Sequence, residues 1–159
     1  MFSLSTRRIS ARMTPTVATI GFTRTSAENF FRRLTEAGVR KVVDVRLHNS
    51  SQLAGFAKAG DLGYFLTAIG GIDYAHEPLL APTEAMLRTY RQEKCGWAAY
   101  EERFLALMAE RRIESRLTPG SLDGACLLCS EATPDHCHRR LVVDYLNRRW
   151  GGSLIVRHL

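Results

Sequence analysis

Several features that define large classes of protein are missing from this sequence. No apolar run approaches the roughly 18 residues that a membrane-spanning helix needs. Four cysteines in 159 residues are too few for a disulfide scaffold, and reduced thiols in a cytosol are the ordinary expectation for such a chain. Internal repeats, low-complexity tracts and interdomain linkers are absent as well. We therefore expect one compact cytoplasmic domain that does not enter membranes.

The two common phosphate-binding motifs are also absent. The first apolar run, residues 16–20, ends in Gly21, and a glycine at the end of a strand lets a ligand phosphate approach the backbone. Neither GxGxxG nor GxxxxGK[ST] follows it, which argues against an ordinary dinucleotide site and against a P-loop. Gly21 is therefore a candidate contact for an anion, and the sequence requires no cofactor.

The excess of basic side chains is concentrated at the two ends of the chain. The sequence has 22 Lys and Arg against 16 Asp and Glu, a net charge of +6. Half of this excess lies in residues 1–13, whose composition is typical of a disordered leader or of a start placed too early, so we expect the folded domain to span residues 14–159. The other half lies in residues 132–159. This distribution favours a local anion site over a nucleic-acid-binding surface that covers the whole molecule.

Apolar runs and helical stripes alternate along the chain. Short runs rich in β-branched residues predict strands, and stripes with helical spacing predict helices between them. The predicted strands cover residues 16–20, 39–45, 72–76, 125–129 and 154–156. The predicted helices follow a Ser26 cap, cover residues 61–69, 82–93 and 97–113, and include a last helix opened by Thr133 and Pro134. This order implies one three-layer α/β domain with a mainly parallel central sheet flanked by helices.

The densest group of reactive side chains follows the fourth predicted strand. From Cys129 to Arg140 the sequence holds two thiols, two imidazoles, two carboxylates and two guanidiniums. Ligands of open parallel sheets bind beyond the carboxyl ends of the strands. Cys137, His138 and Arg139 would lie in or just past the first turn of the last helix, where N–H groups and the helix dipole favour negative charge. A thiol at such a position has a lowered pKa.

Three interpretations of this cluster stay open. In the first, Cys129 or Cys137 is a reactive thiol that His138 tunes, and Glu131 is a general base or an arginine partner. In the second, Cys129, Cys137 and His138 hold a metal, since thiolates and imidazoles are zinc ligands. Cys126 does not join them, because residues three apart on a strand face opposite sides of the sheet. In the third, the thiols are simply buried, and the imidazole and guanidinium groups form caps and salt bridges.

A second candidate group leaves the second predicted strand, where Asp44 and Arg46 flank a valine. The two side chains either form a mutual salt bridge that fixes the loop, or Arg46 meets an anion while Asp44 orients it or acts as an acid or base. A third group, the aromatic residues Trp97, Tyr100 and Phe104, recurs at helical spacing. That spacing favours a place in the core over a platform for base stacking.

Together these residues resemble the domain of unknown function 488 family over most of residues 16–159. The strongest matches are Asp44-Val45-Arg46 and the run Cys129-x-Glu131, Pro134, Cys137-His138-Arg139. Weaker matches are Thr19-Ile20-Gly21, Ser51, Phe56, Tyr74, Pro78, Leu80-Ala81-Pro82-Thr83, Trp97, Tyr100, Phe104 and the terminal His158-Leu159. The resemblance implies a Rossmann-like α/β fold, adds Ser51 to the candidate anion contacts and brings no established reaction.

The sequence thus favours an enzyme or enzyme-like pocket for an anionic small molecule, a nucleotide or a nucleic-acid base. The anion or substrate would contact Gly21, Arg46, Ser51 and Arg139. The catalytic candidates are Asp44, Cys129, Glu131, Cys137 and His138. The alternatives are a non-catalytic nucleic-acid or nucleotide-binding module whose basic ends contact phosphates, and a metal or redox site built on Cys129 and Cys137.

Overall fold

A computed structural model describes residues 13–50, 54–92 and 96–159. In these ranges the strands are β1 (Thr16–Gly21), β2 (Lys41–Asp44), β3 (Asp73–His76), β4 (Ala125–Cys129) and β5 (Ile155–His158). The helices are α1 (Ala27–Glu36), α2 (Ala59–Gly70), α3 (Glu84–Gln92), α4 (Trp97–Glu110), α5 (Ile113–Arg116) and α6 (His138–Arg149). Short 3-10 turns cover Gly55–Ala57, Pro78–Leu80 and Pro119–Leu122. None of the helices in these ranges is long and apolar enough to cross a membrane.

The five strands form one parallel sheet in the order β3-β2-β4-β1-β5. The register pairs Gly21 with Cys129 and Asp44 with His76. All four residues therefore lie at the carboxyl edge of the sheet, as the predicted strand ends require. The predicted three-layer α/β class is confirmed.

Helices cover the sheet on both faces and bury one apolar core on each side. The core under α1 and α2 contains Ile20, Phe30, Leu34, Val42, Leu62, Leu66 and Cys126. The core under α4, α5 and α6 contains Val17, Val43, Phe104, Met108, Ile113, Leu127, Cys129, Val142 and Leu146. Cys126 and Cys129 lie in opposite cores, which confirms that the two thiols cannot share one site.

β4 lies where the sheet changes the side on which the following helix packs. The helices that follow β1 and β2 pack on one face, whereas the helix that follows β4 packs on the other. The connections at the ends of these neighbouring strands therefore diverge and leave a crevice beside the end of β4. Such a crevice is where open parallel sheets bind their ligands.

The start of the last helix differs from the prediction. Thr133 and Pro134 do not open it; α6 begins at His138, with Cys137 as its N-cap in an extended conformation. His136 adopts a left-handed backbone with φ of 53°, and one such residue interrupts a right-handed helix. The local cap signal at Thr133 is therefore overridden by the turn that brings Cys137 back to the sheet.

The predicted long helix over residues 97–113 is also interrupted. α4 ends at Glu110, and Arg112 has a left-handed backbone with φ of 49° before the short α5 begins. The apolar spacing continues across this break, since Met108 and Ile113 are both buried in the same core. A pattern of burial alone does not reveal such a break.

Candidate functional site

A cavity of about 300 Å³ opens at the carboxyl edge of β4. Its walls come from the loops after β2 and β4, the start of α6, and the facing ends of α3 and α4. Residues that line it include Arg46, His48, Tyr90, Arg91, Trp97, Tyr100, Cys129, Ser130, Glu131, His136, Cys137 and His138. The cavity therefore brings both sequence motifs to one place, although they are more than eighty residues apart in the chain.

His138 is held beside Cys129 by a bond to the backbone. Its Nε2 lies 2.8 Å from the Val45 carbonyl oxygen, so Nε2–H donates to that carbonyl and the neutral ring keeps its lone pair on Nδ1. Nδ1 lies 3.6 Å from Cys129 Sγ. Burial lowers the pKa of His138, which favours the neutral ring. The arrangement presents a proton acceptor to the Cys129 thiol.

The two thiols of the site differ in acidity. The Cys137 thiol donates a hydrogen bond that lowers the pKa of Cys129 below its ordinary value, although burial opposes this. The backbone N–H groups of Ser130 and Glu131 and the charge of Arg139 lower the pKa of Cys129 further. The same thiol–thiol bond, together with burial, raises the pKa of Cys137. Cys129 is therefore the more acidic of the two thiols, and Cys137 is its hydrogen-bond donor.

Cys126 provides an internal comparison. It is fully buried in the opposite core, and burial raises the pKa of its thiol far above the ordinary value. The pKa values of two cysteines three residues apart on one strand thus shift in opposite directions. Hydrogen-bond donors surround Cys129, whereas at Cys126 burial outweighs the charges of Arg139 and Arg33.

Arg139 lies under the site with no exposed surface. Its NH1 donates to the Glu131 carbonyl at 2.6 Å and to Cys137 Sγ at 3.5 Å. Its NH2 is buried and has no hydrogen-bond partner in the described part of the chain. Arg139 therefore fixes the loop after β4 and places positive charge beneath the two sulfurs.

Gly21 serves the packing of the same loop. A Cβ at Gly21 would lie 1.6 Å from the Glu131 carbonyl oxygen and 3.0 Å from Arg139 NH1. The close approach that the sequence analysis assigned to a ligand phosphate is thus made by the protein's own backbone. Any larger residue would displace the loop that positions Cys129.

Asp44 and Arg46 form a buried bidentate pair. Arg46 Nε and NH2 donate to the two carboxylate oxygens of Asp44 at 2.8 and 2.7 Å, and Asp44 has no exposed surface. Tyr74 donates to the same carboxylate at 2.7 Å; burial and this bond raise the pKa of Tyr74 to about 12. The salt-bridge alternative of the sequence analysis is therefore observed. Arg46 still lines the cavity, and its buried NH1 has no partner among the described residues.

An aromatic wall faces the thiols; we use this term for Tyr90, Trp97, Tyr100 and His136. Trp97 stacks on Tyr100 with ring centroids 5.3 Å apart and on His136 at 5.1 Å. Tyr90 lies 4.9 Å from Tyr100. Trp97 and Tyr100 pack in or against the core, as their spacing predicts, but both also line the cavity. Sequence reasoning missed Tyr90 and His136, since neither stands in a periodic stripe.

The remaining predicted residues lie as follows. Glu131 lines the cavity as an exposed carboxylate. Ser51 lies outside the described residues. The candidate metal ligands Cys129 Sγ, Cys137 Sγ and a ring nitrogen of His138 lie within 4.8 Å of one another and are all buried. Thiolates and an imidazole at this spacing suit a tetrahedral soft cation such as Zn²⁺.

Fold and site together define a three-layer parallel α/β protein with a cysteine–histidine site at the carboxyl end of its central strand. Comparison with protein families gives a match to Domain of unknown function DUF488 over residues 26–146. The chain belongs to this family, as the resemblance indicated. The matched span includes Asp44, Arg46, Cys129, Cys137 and His138. No curated protein and no solved structure matches the chain.

Proposed function

We propose that this protein is an enzyme, or an enzyme-like binding protein, that holds an anionic small molecule in the cavity against the thiol of Cys129. One observation carries the proposal. Cys129 lines the cavity with its pKa lowered, and the free Nδ1 of His138 lies 3.6 Å from its sulfur. A nucleophile within reach of a base that a third group orients is the arrangement of cysteine-dependent enzymes.

The groups around the cavity favour a negatively charged ligand. Arg91 lines the cavity and forms no ion pair within the described ranges. Asp44 neutralises Arg46, so Arg46 would contribute the free donor on NH1 rather than net charge. Glu131 contributes one exposed carboxylate, and it would act as an acid or base at the edge of the cavity. The NH1 donor of Arg46 and the guanidinium of Arg91, which has no ion-pair partner among the described residues, suit a carboxylate or phosphate.

The chemistry that fits this geometry is nucleophilic substitution. Cys129 Sγ attacks an electrophilic carbon at the carboxyl oxidation level, such as an acyl or amidine carbon, and forms an S–C bond that water can later cleave. The thiol proton passes to His138 Nδ1. The bond from that carbon to its leaving group breaks, and the same proton moves to the leaving group. Water then cleaves the S–C bond, giving its hydroxyl to carbon and its proton to sulfur. The Val45 carbonyl accepts from Nε2–H throughout and stabilises the transient imidazolium.

The test uses two small alkylating agents of opposite character. Iodoacetate is an anion and transfers a carboxymethyl group to a thiolate. Iodoacetamide is neutral and transfers a carbamidomethyl group. At Cys129, the rate with iodoacetate divided by the rate with iodoacetamide should exceed the same ratio for a free thiol such as glutathione by at least several-fold. Arg91→Ala should lower the ratio, whereas Arg88→Ala, also on α3 but outside the cavity lining, should not. A ratio at or below that of glutathione would remove the anion site from the proposal.

A metal centre is the second candidate, and the ligand spacing favours it. Cys129, Cys137 and His138 offer three ligand atoms within 4.8 Å. The bond from His138 Nε2–H to a backbone carbonyl is the contact that orients metal-binding imidazoles. Co²⁺ would then bind the full chain with a sulfur-to-metal absorption band that Cys137→Ser abolishes. If this band is absent at millimolar Co²⁺, the metal centre is excluded and only the reactive-thiol interpretation remains.

A further inference from the structure

We infer that the ligand of this cavity carries a flat heteroaromatic ring beside its anionic group, the chemistry of a free nucleoside monophosphate. The inference rests on the proposed function, because it names the substrate class of the same cavity. It is carried by the aromatic wall and by the position of Arg91 relative to that wall.

The aromatic wall is a row of rings in mutual contact. Trp97 lies in the middle, stacked at 27° on Tyr100 and at 30° on His136. Tyr90 meets Trp97 edge-on at 6.1 Å and closes one end of the row. Stacked neighbours hold these rings in place before any ligand arrives. Aromatic surface that is ordered before binding packs against a planar ring with little further loss of conformational entropy.

The wall is not simply an edge of the core. Tyr100 is buried, but Trp97 and Tyr90 are half-buried and His136 is exposed, so apolar ring surface remains open to the cavity. His136 reaches the wall from a left-handed backbone, which is costly for a residue with a Cβ. Strained conformations cluster at active sites and ligand clamps. An apolar ring surface that is left open, at the cost of backbone strain, points to a ligand that covers it.

Two arginines line the cavity together with this surface. Arg91 follows Tyr90 directly on α3 and is exposed at the rim of the cavity. Arg46 lies inside with its unpartnered NH1. A ligand ring that covers the open surface of this wall would therefore place a phosphate or carboxylate near Arg91, with its ring edge toward the donors inside.

The size of the cavity separates a free nucleotide from a nucleic-acid strand. About 300 Å³ is at the lower end of small-molecule pockets and accommodates one base with its sugar phosphate. Strand-binding proteins instead use grooves that stack several successive bases. This cavity offers one aromatic row for one ring system.

The experiment uses the two tryptophans of the chain. Trp150 donates to the Glu114 carbonyl and lies outside the cavity lining, so Trp150→Phe leaves Trp97 as the single indole reporter. Adenosine, guanosine, cytidine and uridine 5′-monophosphates are titrated, with ribose 5-phosphate and the nucleosides as controls that lack the ring or the phosphate. At least one monophosphate should quench Trp97 saturably and bind at least tenfold more tightly by calorimetry than ribose 5-phosphate.

Variants of the wall supply the matched control. Trp97→Leu should weaken nucleotide binding at least tenfold, whereas Trp97→Phe keeps a ring face and should retain most of it. Tyr64→Leu removes an aromatic residue that is 70% exposed on α2 and should change nothing. Circular dichroism checks that each variant is folded.

Each contrary outcome is distinct. If ribose 5-phosphate binds as tightly as every monophosphate, the ring is not recognised and this inference fails while the anion site stands. Tighter binding of a single-stranded oligonucleotide than of any monophosphate would overturn it in favour of a nucleic-acid interface. If no monophosphate binds although Cys129 prefers iodoacetate, the inference also fails. Absence of both effects would overturn the proposed function as well.

Discussion

At the scale of single residues, the site depends on two cysteines that share one hydrogen bond. Sharing it makes Cys129 more acidic and Cys137 less acidic than an isolated thiol. Substituting Cys137 therefore affects Cys129 even if Cys137 never touches a ligand. The sequence predicted both residues but not which of them is the more acidic, because that depends on the direction of donors after β4.

Arg46 has a structural task that limits how it can be tested. Arg46→Ala would leave the carboxylate of Asp44 buried with no cation, and breaking a buried pair in this way costs about 3–5 kcal/mol of unfolding free energy. The double variant Asp44→Asn, Arg46→Met should lose less, since no buried ion is left unpaired. Urea titrations of the three proteins measure both values. A loss below about 1 kcal/mol for Arg46→Ala would show that the pair does not support the fold.

At the scale of elements, His138 joins three parts of the fold. It is the first residue of α6, donates to the backbone at the end of β2 and faces the last residue of β4. The sequence predicted the helix and both strands but placed the start of the helix about four residues too early. Tertiary contacts of the intervening turn, such as the stacking of His136 on Trp97, decide where α6 begins, and local cap signals do not contain them.

The burial of His138 predicts a dependence of stability on pH. Its pKa is lowered in the folded protein, so the unfolded chain binds more protons once the pH falls below the ordinary imidazole pKa of about 6.5. Stability is then full above that value and declines as the pH falls toward 5, by at most about 1.4 kcal/mol per pH unit. Denaturant titrations between pH 5 and 8 measure the slope.

His138→Gln keeps a group that donates to the Val45 carbonyl but cannot titrate. The slope between pH 5 and 6.5 should become shallower in this variant, and the part that remains is assigned to other groups, including His158, whose pKa burial also lowers. An unchanged slope would mean that His138 has the same pKa in the folded and the unfolded protein, which contradicts the lowered pKa.

At the scale of the whole molecule, the direction and order of the strands bring the site residues together. Alternating strands and helices were enough to predict the parallel sheet, and the strand ends were enough to bring Asp44 and Cys129 to one edge. The order of the strands was not predictable, because the buried apolar runs are compatible with several neighbours. The order places β4 between β1 and β2. As a result, the motif that follows β2 and the motif that follows β4 line the same cavity.

The aromatic wall shows where pattern reasoning ends. Trp97, Tyr100 and Phe104 share a helical stripe, and the stripe correctly predicts that Phe104 and Tyr100 are buried. Whether Trp97 also faces a cavity depends on α3 and on the turn at His136, which meet it from distant parts of the chain. Periodicity describes one helix face and contains no information on what stands opposite.

The central claim is that Cys129 is the reactive thiol, and the pH dependence of its alkylation tests it most directly. In a Cys95→Ser variant the three remaining cysteines all belong to the described structure, and peptide mapping assigns each modification by iodoacetamide. We expect Cys129 to react first, with a rate midpoint below the ordinary thiol pKa of about 8.5, while Cys126 and Cys137 stay unmodified in the folded protein. A midpoint at or above 8.5, or earlier modification of Cys137, would contradict the account.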